Sequence, residues 1–172
     1  MPFTYERCYA YGQREAIATF STEELSAIIT TAHARSVEVA AHAERSDSID
    51  TLLDLGVDSI EHGLGIYDIM DNNKNLLRKF VKANGRTIWV PTLGIYYTQS
   101  LSGSLQSQKT WERCKMSFAE VLGIGMENIA CGGDAGVFAH GQNALELVVK
   151  CVGSVRRGIA SLVGRRMVGG RV

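Results

Sequence analysis

The sequence has no long apolar run: nothing in its 172 residues approaches the ~18 consecutive apolar residues that a membrane-spanning helix needs. Its opening, MPFTYERCYAYGQRE, lacks the apolar stretch of a secretory leader. The expectation is therefore a protein of the cytoplasm with no membrane partner. Cysteine is sparse and unpaired. Cys8, Cys114, Cys131 and Cys151 are widely spaced with no CxxC, which argues against a zinc knuckle or disulfide scaffold and for reduced thiols. Net charge is also absent, but unevenly so. Lys150, Arg156, Arg157, Arg165, Arg166 and Arg171 crowd the last 23 residues without an acid, leaving 12 basic against 18 acidic side chains elsewhere. Such a tail can serve nucleic acid or an anionic surface, yet a solvated chain end is the commoner outcome, and no nucleic-acid partner is expected. With 45% hydrophobic and 21% charged residues, the composition is that of a globular domain large enough to bury a core.

Periodicity divides the chain into an irregular segment over 1–20, an ordered body over 21–150 and a divergent basic tail over 151–172. Ser21 and Glu24 form a capping-box pattern ahead of Leu25, Ile28, Ile29 and Ala32, the spacing of one helix face. The run 37–42 (VEVAAH) reads as a buried strand ending in a histidine. Ser46 opens a second helix with Ile49, Leu52 and Leu53 inward, and Gly56 ends it. The run 57–63 (VDSIEHG) is a second strand with a histidine at its end. A third helix, capped by Asn72 or Asn73, carries Leu76, Leu77, Phe80 and Val81 and stops near Gly85. The run 86–92 (RTIWVPT) is a third strand. A loop rich in Ser, Gly and Gln over about 98–108 precedes a helix marked by Trp111, Cys114, Phe118, Val121 and Leu122. The run 127–136 (ENIACGGDAG) is a fourth strand, and a last helix from Asn143 places Leu147, Val148 and Cys151 on one side. Strand and helix thus alternate four times, the pattern of a parallel sheet covered by helices.

In parallel α/β architectures the working face lies at the carboxyl ends of the strands. Three of the four expected strands end in a possible metal ligand: His42, His62 and Asp134. Hydrolytic zinc sites use imidazole and carboxylate, three from the protein with one position left for water, whose pKa falls to about 7. One histidine at a strand end is more often a polar residue at a sheet rim. Three such residues at equivalent ends leave the rim and the metal readings equally open.

The ordered series VAAHA, LGVDSIEHG, VPTL, GGDAG and HGQNALEL resembles the second half of an amidohydrolase-superfamily (β/α)8 barrel over about residues 21–149, nearest to its imidazolonepropionase-like and Xaa-Pro-dipeptidase-like branch. The resemblance implies a partial TIM-type barrel of about four parallel strands, the family's strands five to eight. It implies that His42 and His62 are metal ligands at the ends of the fifth and sixth strands. Asp134 then ends the eighth, both as ligand and as the catalytic proton carrier. The implied cofactor is a divalent metal, zinc above others. The implied activity is hydrolysis of a carbon–nitrogen bond in an amide, peptide or cyclic amide, with a small or dipeptide-like substrate. His140, in the loop after Asp134, is expected to touch substrate, although a solvated loop histidine is as consistent with its place.

Several departures qualify those implications. The family's HxH pair and its bridging carboxylated lysine have no counterpart here, and GGDAG puts Gly133 where the family more commonly has threonine. Arg45 occupies the position where related deaminases carry a catalytic glutamate, which counts against deamination. The expectation is an incomplete site in a truncated form with impaired activity. The alternative is a non-catalytic half-barrel that serves as a binding module and self-associates through exposed strand edges. His33, inside the first helix, reads as structural. Tyr96 and Tyr97 read as loop residues that pack or line a pocket.

Overall fold

The computed structural model describes residues 2–4, 20–66, 74–82, 86–134 and 143–153. A parallel sheet in the order β1-β2-β3-β4 is formed by Pro2–Thr4, Ala40–Ala43, Ser59–His62 and Ile88–Val90. Among the described residues six helices accompany it: α1 (Thr22–His33), α2 (Ser46–Leu55), α3 (Lys74–Lys82), α4 (Leu93–Ser100), α5 (Leu105–Gly123) and α6 (Asn143–Gly153). None of the described helices is long and apolar enough to cross a membrane.

The local signals explain most of these elements. Ser21 Oγ accepts from the Glu24 amide at 3.2 Å, and Glu24 Oε2 accepts from the Ser21 amide at 2.8 Å, so the expected capping box forms. Gly56 ends α2 in the left-handed region (φ 73), and a Cβ there would meet nothing within 4 Å, so its conformation rather than its size is what the turn requires. Ser46 opens α2, as expected, and its Oγ donates to the Gly65 carbonyl at 3.1 Å. That bond secures the turn after β3 to the start of α2. Gly65 is needed there, because a Cβ would stand 2.5 Å from the Ser46 amide nitrogen.

Burial alternates along β2 and β3, and the register aligns Ala41, Ile60 and Trp89 on the helix-covered face. Fully buried Trp89 stands between Phe80 and Phe118, with ring centroids 6.4 and 6.0 Å away. Ala40, Ser59 and Ile88 line up on the other face, where Ile88 is 44% exposed. Cys114 is buried, which pushes its thiol up to about 12, whereas Cys131 is exposed.

Several expectations are corrected. Residues 2–4 of the supposedly irregular start pair with β2, and three residues are too few to show a period. The expected fourth strand shrinks to one bridge, Trp89 with Ile129, held by the Trp89 amide donating to Asn128 O and the Ala130 amide to Trp89 O, both at 2.8 Å. Gly132 and Gly133 follow, and glycine weakens a strand. Tyr96 and Tyr97 lie on α4, not in a loop, and the Ser/Gly/Gln-rich stretch spans the end of α4, a short turn and the start of α5, capped by Ser104. In α6, Leu147 and Val148 are exposed while Glu146 and Val149 are buried, the reverse of the expected face. Asn72, Asn73, Gly85 and most of the basic tail lie outside the described residues.

Candidate functional site

The site is built where β2 and β3 end. Parallel pairing sets Ala43 opposite His62 and His42 opposite Glu61, so strict alternation would send His62 to the face of Ile60 and away from His42. It does not, because His62 leaves the strand in the left-handed region (φ 66), and Gly63 follows in the same region (φ 66). The turn brings His62 Nε2 to 2.8 Å from His42 Nδ1, with ring centroids 4.9 Å apart. Trp89 Nε1 donates to the His62 carbonyl at 3.1 Å and holds the turn from the core. Gly63 cannot carry a side chain, since a Cβ would meet Trp89 Nε1 at 2.6 Å.

His62 has a second partner. Its Nδ1 is hydrogen-bonded to Thr92 Oγ1 at 2.9 Å, and Thr92 is also left-handed (φ 46). Asp134 is the third such residue (φ 45). Among the described residues only Ser36, just after α1, shares this conformation without being glycine. Left-handed backbone at a non-glycine residue costs about 1–2 kcal/mol, and its concentration at ligand clamps and active sites is a recurrent feature of proteins. Here it coincides with the carboxyl ends of β3 and β4 and with the end of the bridge segment.

Burial is the main cause holding His62 below the ordinary imidazole pKa, helped by repulsion from His42; the Asp134 carboxylate pulls the other way. The structure thus joins His42 to His62 by a direct bond and places Asp134 within electrostatic reach of His62. His140 lies outside the described residues. His33 is structural, as expected: its Nε2 is 2.8 Å from Asp58 Oδ2, at the opposite end of the sheet.

Two imidazole nitrogens bound to one tetrahedral zinc at 2.0–2.1 Å stand about 3.3 Å apart. The facing nitrogens of His42 and His62 are 2.8 Å apart, so a separation of about half an ångström would admit a metal between them. In donor type and direction the pair fits a zinc-like ion. Among the described residues, however, no group of three His, Cys, Asp or Glu side chains stands ready to enclose one.

Two residues of this face, Thr92 and Glu146, carry no clear signal in the sequence. Thr92 is visible there only as the non-ligating end of a strand. Glu146 reads in sequence as an acid suited to the first turn of a helix, yet it is 1% exposed and bonded to another helix.

This fold has relatives among solved structures. It is similar to that of a Xaa-Pro dipeptidase with methionine bound in its active site (TM-score 0.71, 23% identity, 88% of this chain and 38% of that one). It is also similar to A. niger ochratoxinase (TM-score 0.64, 23% identity, 80% and 30%) and to a candidate prolidase of Bifidobacterium longum (TM-score 0.58, 25% identity, 78% and 35%). The α/β arrangement is therefore shared with these solved structures. Uncharacterized proteins of Mycobacterium bovis and Mycobacterium tuberculosis are 43% identical over 49 residues, 28% of this chain and 13% of theirs. No family model matches the sequence. The chain spans less than two fifths of each of these solved structures.

Proposed function

We propose that this chain is the strand-five-to-eight half of an amidohydrolase-type (β/α)8 barrel and derives from a metal-dependent hydrolase of carbon–nitrogen bonds. The observation that carries the reading is the direct bond between His42 Nδ1 and His62 Nε2 at neighbouring strand ends, made possible by the left-handed turn at His62. The dipeptidase and prolidase likenesses support an amide or peptide bond as the target and a dipeptide-like substrate.

In this reading His42 and His62 hold a divalent metal, zinc above others, with Asp134 as the third ligand. Such an ion, when bound, polarises a carbonyl and acidifies water. The residues of the chain do the rest. Thr92 orients the His62 ring, and the Trp89 indole holds the His62 carbonyl. Asp134, beside His62, receives a proton on its carboxylate and delivers it to the leaving nitrogen. His140 is the proposed substrate contact. With two histidines and one aspartate but no HxH pair and no bridging lysine, the site is incomplete and the chain's own activity is impaired.

Zinc titration of the full chain by calorimetry, alongside hydrolysis of Xaa-Pro dipeptides, tests this. At most one weakly bound ion per chain is expected, abolished in His42→Ala and in His62→Ala, with little or no hydrolysis. Two bound ions with robust hydrolysis would overturn the incomplete-site reading. Absence of any histidine-dependent binding would overturn the metal itself. A second reading, a half-barrel that associates with a copy of itself, draws on the 44% exposure of Ile88 on the sheet face away from the helices. A monodisperse monomer at all concentrations would dismiss it.

A further inference from the structure

We infer that Glu146 is a positioning residue for the histidine pair: its buried carboxylate takes over the capping of α4 and so frees Thr92 to hold His62. The inference rests on the proposed role of that pair.

Thr92 is the N-cap of α4, and a capping threonine ordinarily accepts from an amide of the first helical turn through its own hydroxyl. Here no such side-chain cap forms. Thr92 has left-handed backbone (φ 46, ψ 44), and its Oγ1 is 2.9 Å from His62 Nδ1. The first amides of α4 find their acceptor elsewhere. The Leu93 amide donates to Glu146 Oε1 at 3.0 Å and the Gly94 amide to Glu146 Oε2 at 2.6 Å.

Glu146 reaches them from the first turn of α6 and is 1% exposed. Burying a carboxylate is costly unless its oxygens are bonded. Two amides at a helix N-terminus, where the helix dipole also favours negative charge, offset that cost. The fit is close at Gly94, where a Cβ would stand 3.2 Å from Glu146 Oε2. The fold therefore uses a buried charge from a distant helix where a local hydroxyl would ordinarily suffice, and the hydroxyl is engaged at His62 instead.

The consequence concerns protons. A neutral imidazole has one nitrogen that donates and one that accepts. His62 bonds Thr92 through Nδ1 and His42 through Nε2, so the hydroxyl orientation of Thr92 selects whether Nε2 offers His42 a proton or a lone pair. Glu146 acts on this choice through the start of α4.

The test uses the full chain with 15N-labelled histidine, without added metal, well above the ordinary imidazole pKa of about 6.5. Long-range nitrogen–proton NMR then reports which ring nitrogen of His62 carries the proton. A single tautomer is expected in the native chain and in Thr92→Ser. Glu146→Gln, which turns one acceptor into a donor facing an amide, is expected to give a mixture of tautomers, as is Thr92→Val. Leu53→Ala, a cavity in the α2 core remote from α4, should lower the melting temperature and keep the single tautomer. A native pattern in folded Glu146→Gln, or an equal disturbance in Leu53→Ala, overturns the inference. Should Glu146→Gln fail to fold, Glu146→Asp, which withdraws the carboxylate by one methylene, is read by the same criterion. Zinc binding is measured separately, so loss of the metal reading leaves this result standing, and the reverse.

Discussion

At the amino ends of β3 and β4 the polar side chains serve the backbone, whereas at the carboxyl ends His42, His62 and Thr92 bond one another through their side chains. Asp58 Oδ2 accepts from the Val39 amide at 2.7 Å and meets His33 Nε2 at 2.8 Å, and Thr87 Oγ1 donates to the Val57 carbonyl at 2.6 Å. Asn128 Nδ2 likewise donates to the Thr87 carbonyl. Every one of these bonds satisfies a main-chain group or a solvent-exposed partner, and none of these residues has left-handed backbone. Across the sheet, His62 and Thr92 bond through their side chains, and both hold conformations that disfavour a side chain. One end of the sheet is stabilised by ordinary backbone satisfaction. The other carries left-handed backbone at His62 and Thr92, and that backbone brings the two imidazoles together.

The sharpest way to break this contrast is at Gly63. Gly63→Ala combines left-handed strain of about 1–2 kcal/mol with a collision at Trp89 Nε1 that adds about 1–3 kcal/mol. A loss of about 2–5 kcal/mol in urea unfolding is expected, together with a change in Trp89 fluorescence. Gly56→Ala has the same backbone sign but open space around it, so only the left-handed cost of about 1–2 kcal/mol should appear. Equal losses at the two glycines would mean that the turn after β3 is not held against Trp89.

At the amino end, Asp58→Ala strands the Val39 amide and is expected to cost about 1–3 kcal/mol. His33→Ala removes only a partly exposed ion pair and should cost less than about 1 kcal/mol. If the histidine proved the costlier of the two, the amino end would hold more than a backbone tie.

The smallest expected effect is a pH dependence at His62. Its folded pKa lies below the ordinary 6.5 because burial, with repulsion from His42, disfavours the charged ring. Below about pH 6.5 the unfolded chain then binds a proton that the folded chain refuses, so stability falls as pH drops and levels off beneath the folded pKa. Above that window the group contributes nothing. Urea midpoints measured across this range should show the slope in the native chain and a shallower one in His62→Gln.

Particular elements show what could be read without the fold. The capping box at Ser21, the apolar stripe of α2 and its terminal Gly56 were all legible, because each is a local pattern within a few residues. His42 and His62 were legible as strand ends, and parallel alternation implied that those ends are neighbours. Asp134 was legible as a residue type, while its segment was mistaken for a strand, since apolar content cannot distinguish a ladder from a single bridge. The inward face of α6 was misjudged because Leu147 and Val148 are more hydrophobic than Glu146, and hydrophobicity is a poor guide where a buried acid has two amides to accept from.

By itself, then, the sequence determined the alternation of strand and helix, the caps that bound the helices and the two histidines that end adjacent strands. These follow from interactions between residues close along the chain. Only the tertiary structure decided that His62 turns back to meet His42, that Thr92 leaves its helix to hold it, and that Glu146 caps α4 across 53 residues of sequence. Those choices depend on a left-handed backbone, a glycine pressed against Trp89 and a carboxylate buried between helices. Each is unfavourable alone and becomes stable only when packing supplies its partner.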